Sequence, residues 1–340
     1  MKGKFHLKRQ LSLSSKYKPE LDGLRAIAVT LTVLAHTGNF SNYSKYGVDI
    51  FFVLSGWFIS EVFLEKKLSV KDFLVNRFAR LYPLVILYSI VAVMFSLRFR
   101  TPGAWEGSIS SLLMMKNFYS SDSLFGHFWS LSSEFQFYIL IAIMVTVLGH
   151  SRIYILIAPI LLFMLISILI EYYFDLSNSN TFFDYNLIFG RPCEIWLGVF
   201  AYFLCRRKNL KYTYLLGAMF FVTLLLFIIG NHPFSIALAT FFAICYLDFK
   251  QNGFVVGVLG VSIMRTMGML SYSIYIWHLL IVNIYEVAYI HFYRRNPEIP
   301  LISFLFVLVV SIFVAYFSYK YFEMPVKSKL ISRFQRSVRY

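Results

Sequence analysis

Long apolar runs separated by short polar connections dominate this chain. Ten segments read as candidate spans: 23–40, 47–65, 82–98, 128–148, 153–173, 187–205, 212–230, 233–249, 271–290 and 299–320. A helix needs about 20 mostly apolar residues to cross about 30 Å of hydrocarbon. Inside a bilayer each backbone N–H and C=O must find its partner within the protein, and a helix does this within one segment. The pattern therefore predicts an all-α, polytopic integral membrane protein with about ten transmembrane helices. Segment 107–119 is shorter and amphipathic, and reads as interfacial or re-entrant. Stretch 254–270 is apolar but holds glycines and Arg265, so it reads either as an eleventh span or as a connection.

Composition agrees with this class. Apolar residue types make up 59% of the 340 residues and charged types 14%, with a mean hydropathy of +0.66. Soluble domains carry about 25% charged residues, and disordered chains combine low hydrophobicity with high charge. Both classes are excluded. The net charge of +15 would suit nucleic acid, but the basic residues fall between the apolar runs, which argues for a lipid bilayer and against nucleic acid.

With ten spans and a cytoplasmic N-terminus, 24 of the 32 Lys and Arg fall in inside segments and 6 in outside segments. That bias places both termini in the cytoplasm. An odd number of spans would put the basic C-terminal end outside. The first apolar run lacks a small-residue cleavage site and carries Arg25 and His36, so it reads as a span and not as a secretory signal. The expected organisation is a basic cytoplasmic segment (1–22), a transmembrane domain (23–325) and a basic cytoplasmic tail (326–340).

Ionisable groups within spans are costly and usually face a cavity. Arg25 and His36 lie eleven residues apart, which is three helical turns and about 16 Å of rise. They share one face, with Arg25 towards the cytoplasm and His36 towards the outside. Together they suggest a lined channel, although Arg25 also suits a snorkelling anchor and His36 a satisfied core group. Asp49 opens the second span. It reads either as a helix cap or as a carboxylate that meets His36 across a short loop and orients its imidazole. Ser55-Gly56 sits mid-span, where close helix packing accounts for it. Residues 69–83 read as a short amphipathic helix on the cytoplasmic face, with Pro83 starting the next span. Arg77 and Arg80 share a face of that helix, and two guanidiniums aimed one way suit either phosphate or simple anchoring.

The fourth span opens with an unusually polar half. His127 and Glu134 share a face, and Tyr138 lies one turn below Glu134, so that face should line a pocket. Arg191 and Glu194 are spaced for an internal ion pair. His278 shares a face with Ser271 and Tyr275. Cys193, Cys205 and Cys245 read as small core residues. No Walker loop, GxGxxG, GxSxG or HExxH occurs, and no spacing among His36, His127 and His278 supports a metal site.

Several of these stretches, in this order, resemble the acyltransferase family 3 membrane proteins, the O-acyltransferases of bacterial surface glycans. They are Glu20-Leu21-Asp22-Gly23-Leu24-Arg25 followed by His36, which is similar to a basic-x10-His motif; Gly47 to Gly56; Arg77-Phe78-Ala79-Arg80 with Tyr82-Pro83; Trp129-Ser130-Leu131-Ser132 with Glu134, Gln136, Phe137 and Tyr138; Ser271 to His278; and Glu323-Met324-Pro325. The resemblance runs from about Lys18 to Pro325.

The resemblance implies a bacterial cytoplasmic (inner) membrane enzyme. It would move an acyl group, acetyl by the same resemblance, from cytoplasmic acyl-CoA to a hydroxyl of an extracytoplasmic glycan such as O-antigen, exopolysaccharide or capsule. Acyl-CoA would be a substrate and no cofactor would be resident. His36 would be the catalytic histidine, with Asp49 or Glu134 holding its tautomer as a triad carboxylate does. Arg25, Arg77 and Arg80 would bind the donor, and Trp129, Tyr138 and His278 would line the acceptor pocket. Relatives often carry a second carboxylate after the Glu134 position, where this chain has Phe135. Many also carry a fused extracytoplasmic esterase-like domain, which is not expected in a chain ending 15 residues after Pro325. The rival readings are a transporter of glycans or lipid-linked sugars and a non-catalytic scaffold.

Overall fold

A computed structural model describes residues 18–37, 44–66, 68–119, 124–150, 194–206, 219–220, 222–223, 233–250, 252–294 and 300–337. Among these residues the regular structure is entirely helical. The expected spans 153–173 and most of 212–230 lie outside the described residues, as do Arg191 and Cys193.

Helix α1 (Pro19–Ala35) starts as its sequence dictates. Proline occupies the first turn, where its missing N–H costs nothing, and Glu20 and Asp22 sit at the positive end of the helix dipole. Helix α2 (Ser44–Ile59) continues into a π-helical turn, Ser60–Glu65.

Helix α3 (Val70–Phe99) corrects one expectation. The short amphipathic helix and the third span are a single 30-residue rod, with Pro83 buried inside it. Ser69 caps this helix by accepting from Asp72 N at 3.0 Å. Proline removes one helical hydrogen bond but does not end the helix, a tolerance common in membrane helices whose neighbours supply partners. Two residues before the proline, the Leu81 carbonyl accepts from the Tyr272 hydroxyl at 2.7 Å.

Helix α4 (Ala104–Leu112) is amphipathic in the inverted sense. Trp105, Ile109 and Leu113 point outward, while Ser108, Ser110 and Ser111 are buried. The chain then turns at Met114 (φ 54°) and carries Lys116 and Asn117 inward against α5 (Phe128–Leu148). Ser132 Oγ accepts from Lys116 N at 3.1 Å, and the Asn117 and Gln136 amides exchange bonds of 3.0 and 2.9 Å. This is the interfacial segment expected from 107–119, folded against the polar half of α5.

Helices α6 (Glu194–Arg206) and α7 (Pro233–Phe249) follow, then the short α8 (Phe254–Leu259) and the 32-residue α9 (Ser262–Tyr293). Stretch 254–270 is thus neither a separate span nor a loop. It divides into α8 and the first turns of α9, whose length of about 48 Å exceeds the hydrocarbon thickness. Helix α10 (Pro300–Ser318) passes through a π-helical turn, Tyr319–Glu323, into α11 (Met324–Ser337), so the basic C-terminal stretch is helical.

Among the described residues, five stretches are long and apolar enough to cross a membrane: Tyr46–Phe63, Val70–Phe99, Phe128–Leu148, Ser262–Tyr293 and Leu301–Gln335. Their outer faces are apolar at helical spacing. Ile86, Ile90, Met94 and Leu97 form one such stripe on α3, and Ile139, Ile143 and Val147 form another on α5. A soluble protein rarely exposes apolar patches on this scale. The chain is a multi-pass membrane protein.

Close packing fixes the centre. Helix α1 lies against α9 and α2, and α2 lies against α6 and α7. Asp22 meets Gly268, while His36 meets His278, so α1 and α9 run parallel. Gly56 and Gly198 form a reciprocal notch. A Cβ on Gly56 would sit 1.8 Å from the Ile195 carbonyl oxygen, and one on Gly198 would sit 1.8 Å from that of Val53. The close packing expected at Ser55-Gly56 is therefore present, with α6 as the partner.

Candidate active site

Two polar regions lie side by side in this core. The first is an open cavity of about 710 Å³, counting its mouth, lined by Arg25, Arg77, Arg80, Glu134, Tyr138 and Tyr275 among others. The sequence placed Arg77 and Arg80 on one helical face and Arg25 on another helix. The fold turns all three to one space.

Arg25 pairs with Asp22 at 3.4 Å and lies 4.3 Å over the Phe58 ring. Arg77 is 9% exposed and lies 5.2 Å from the Tyr138 ring. Among the described residues Arg77 and Arg80 make no salt bridge, and Arg77 Nε is buried without a hydrogen-bond partner. A buried guanidinium without a counter-ion is expensive. The buried Arg77 and the half-buried Arg80 beside one cavity form a site for an anion with several oxygens.

Glu134 is held from two helices. Its Oε1 accepts from Ser55 Oγ and from the Tyr138 hydroxyl, each at 2.5 Å. Ser55 thus has a polar role in addition to its packing position, which its sequence context did not signal.

The second region is a cluster of three imidazoles behind the cavity wall. His36 and His278 meet edge-on with ring centroids 5.0 Å apart, and His278 and His127 do so at 5.2 Å. Tyr275 divides the two regions. It lines the cavity, its ring lies 5.4 Å from His127 and 5.6 Å from His278, and its hydroxyl donates to the His127 carbonyl at 2.6 Å. Ser130 Oγ contacts the same hydroxyl at 2.5 Å.

Two expectations about orientation are corrected. Neither Asp49 nor Glu134 holds His36. Its Nδ1–H donates to the Thr32 carbonyl at 2.8 Å. The physical reason is local. His36 caps α1, and its backbone N–H tightens to Val33, so the Thr32 carbonyl is left for the imidazole. Asp49 is wholly buried in α2.

The acceptor-pocket assignments also change. Tyr138 lines the cavity, but His278 is wholly buried behind Tyr275. Trp129 packs edge-on against Phe52 at 6.0 Å instead of lining the cavity. Cys205 and Cys245 are buried free thiols, as their apolar context suggested.

Below the cavity, Ser273 Oγ donates to Glu323 Oε2 at 2.6 Å, joining α9 to the π-helical turn. Removing that donor with Ser273→Ala leaves a buried carboxylate oxygen short of a partner. It should destabilise the protein by about 1–3 kcal/mol, readable as a lower melting midpoint in detergent.

Comparison with known proteins now bears on this geometry. O-acetyltransferase OatA of Staphylococcus aureus (strain NCTC 8325 / PS 47) is 26% identical over 359 aligned positions, covering 93% of this chain and 58% of that protein. The putative O-acetyltransferase SAS0844 of S. aureus (strain MSSA476) is 25% identical, covering 92% of this chain and 58% of its own length. The chain thus spans less than two thirds of these curated relatives. No solved structure matches it. The acyltransferase domain of acyltransferase family 3 matches residues 18–320, and the chain belongs to that family.

Proposed function

We propose that this protein is a membrane O-acyltransferase that carries an acetyl group from acetyl-CoA on the cytoplasmic side to a glycan hydroxyl on the far side. The observation that carries the reading is the cavity walled by Arg25, Arg77 and Arg80, two of them without a carboxylate partner, next to a histidine with a fixed tautomer. The names of the relatives supply the acetyl group. The basic bias of the inside segments supports ten spans, two cytoplasmic termini and residence in the bacterial cytoplasmic membrane.

In this reading the guanidiniums hold the phosphates of the donor, and the thioester extends towards His36. With Nδ1–H committed to the Thr32 carbonyl, the lone pair of His36 sits on Nε2. The imidazole takes the hydroxyl proton as the oxygen attacks the thioester carbonyl. The C–O bond forms, the C–S bond breaks, and the thiolate leaves and is protonated. Glu134, anchored by Ser55 and Tyr138, stands beside the three guanidiniums and positions the arginine wall.

The test is a proton NMR count of base-labile O-acetyl groups on surface glycans. It compares cells with the intact gene, a deletion, and a deletion complemented with His36→Ala at matched protein level. A defined acetyl signal should vanish in the last two. An unchanged signal with an accumulated lipid-linked precursor would point to transport instead.

A second prediction addresses the arginine wall. Arg77→Ala should raise the donor KM by about tenfold or more, as expected for a lost charge-assisted pair, and leave the acceptor KM within twofold. Arg77→Lys should restore only part, because lysine keeps the charge but not the planar fork. A donor KM that does not move would remove Arg77 from the donor site.

A further inference from the structure

The arginine cavity has a cationic neighbour that no sequence motif singled out. Helix α11 carries Lys327, Lys329, Arg333 and Arg336 and no acidic residue. Helix α10 alone is about 28 Å long, close to the hydrocarbon thickness, so α11 continues beyond it at the membrane face. In the orientation proposed above, that face is cytoplasmic. A basic helix there suits simple anchoring, and Lys329 and Arg333 are exposed as anchoring requires.

Lys327 differs from them. Glu323, Lys327, Leu330 and Phe334 follow one another at steps of four, three and four residues, which puts them on one helical face. Glu323 is buried and the other three are half-buried. This face packs on α3. At one end Lys71 Nζ lies 4.8 Å over the Phe334 ring, and at the other Arg80 is within electrostatic range of Glu323 and Lys327. The two helices therefore run antiparallel, and Lys327 comes opposite the turns of α3 that carry Arg77 and Arg80. The Ser273–Glu323 hydrogen bond fixes the π-helical turn from which α11 departs, and with it the place of Lys327.

An ammonium set against two guanidiniums is repulsive. The carboxylates nearest to them already accept hydroxyl hydrogen bonds, Glu323 from Ser273 and Glu134 from Ser55 and Tyr138. Among the described residues Lys327 makes no salt bridge, and neither does Arg77 or Arg80. Three converging cations of this kind are stabilised by one anion that carries several charged groups. The cavity lining includes both arginines but not Lys327, so Lys327 meets a part of that anion that lies outside the cavity.

We propose that Lys327 binds the 3′-phosphate of the CoA donor, while Arg77 and Arg80 hold its diphosphate. CoA carries phosphate in two places. The diphosphate joins the pantetheine arm to the adenosine, and the third phosphate sits on the ribose, at the end away from the thioester. With the arm running into the cavity towards Tyr275, the diphosphate stands at the arginines and the ribose emerges towards α11. The side chains match these tasks. A planar fork suits a diphosphate held in one pose, and a compact charge on a flexible stem suits a terminal phosphate at the mouth. Lys327 thus selects the donor and takes no part in bond making.

This assignment rests on the acyl-transfer reading of the cavity. The test uses the full-length protein in detergent or nanodiscs, the acceptor identified by the acetyl count, and two donors: acetyl-CoA and 3′-dephospho-acetyl-CoA. The native protein should show a donor KM about tenfold lower for acetyl-CoA, the worth of one charge-assisted hydrogen bond. Lys327→Ala should raise the acetyl-CoA KM about tenfold and leave the dephospho-donor KM, the acceptor KM and kcat within about twofold, so that the preference disappears. Lys327→Arg keeps the charge and should keep the preference. A native protein that treats both donors alike, or a Lys327→Ala that raises both donor KM values together, would overturn the assignment.

Should Lys327→Ala fail to fold, the native protein gives an independent answer. Lys327 is half-exposed, so an amine-reactive ester can label it, and mass spectrometry can follow the labelling. Saturating CoA should protect Lys327 while saturating 3′-dephospho-CoA should not, with the exposed Lys329 labelled equally in both. Equal labelling of Lys327 under the two ligands would overturn the assignment. Absence of any transfer from acetyl-CoA by the native protein would remove the acyl-transfer reading itself, whereas transfer from both donors with equal kcat/KM would remove the role of Lys327 alone.

Discussion

His36→Ala is expected to lower kcat by about 10²–10⁴-fold, the range for losing a positioned general base, while the protein remains inserted and folded. His36 caps the end of α1 and is only partly buried, so truncating it removes one hydrogen bond to the Thr32 carbonyl and one edge-on ring contact with His278. The fall should therefore appear in kcat, with the donor KM and the melting midpoint close to native. His36→Gln is a useful companion, because an amide can still donate to Thr32 but cannot take the acceptor's proton. It should be as inactive as alanine. A variant with alanine at this position that still acetylates at the native rate would sink the mechanism. Loss of activity together with loss of folded protein would mean that His36 is structural.

The largest effect on stability is expected at the notch between α2 and α6. Gly198→Val places a Cβ where the Val53 carbonyl oxygen lies 1.8 Å away, and its branches have no room at all. The neighbour is backbone, so no rotamer change relieves the clash, and the two helices must separate. Overpacking of this kind costs about 3 kcal/mol or more. Because α2 also carries Ser55, which holds Glu134, the displacement would loosen the arginine cavity as well. Gly198→Val should thus yield little folded protein by size-exclusion chromatography, and what remains should melt well below the native form. Gly257→Ala is the control, since a Cβ there meets nothing within 4 Å. Equal melting midpoints for Gly198→Val and the native protein would contradict the notch.

Much of the site was readable from periodicity within single helices. Arg77 and Arg80 at i, i+3, Glu134 and Tyr138 at i, i+4, and Ser271, Tyr275 and His278 along one stripe all point inward as their spacing required. Polar residues inside apolar helices turn away from lipid, so one helical wheel is enough to assign their face. The same logic found the close packing at Ser55-Gly56. It failed where a residue sits at a helix end. His36 lies one position beyond the last helical residue of α1, so its eleven-residue spacing from Arg25 does not put it on the cavity wall. It also failed at Pro83, which suggested a boundary although the helix runs straight through it.

The sequence by itself determined the class: an all-helical membrane protein with inward-facing arginines, a carboxylate and histidines. These follow from hydropathy and from the 3.6-residue period, which act within one helix at a time. The tertiary structure alone decided which polar groups meet. His36 Nδ1 turns to the Thr32 carbonyl of its own helix, and its ring meets His278, in a helix that begins more than 200 residues later. Helix pairing is set by where backbones can approach, at Gly268 against Asp22 and at Gly56 against Ile195. That fit depends on the shapes of two surfaces together, which neither stretch of sequence contains alone.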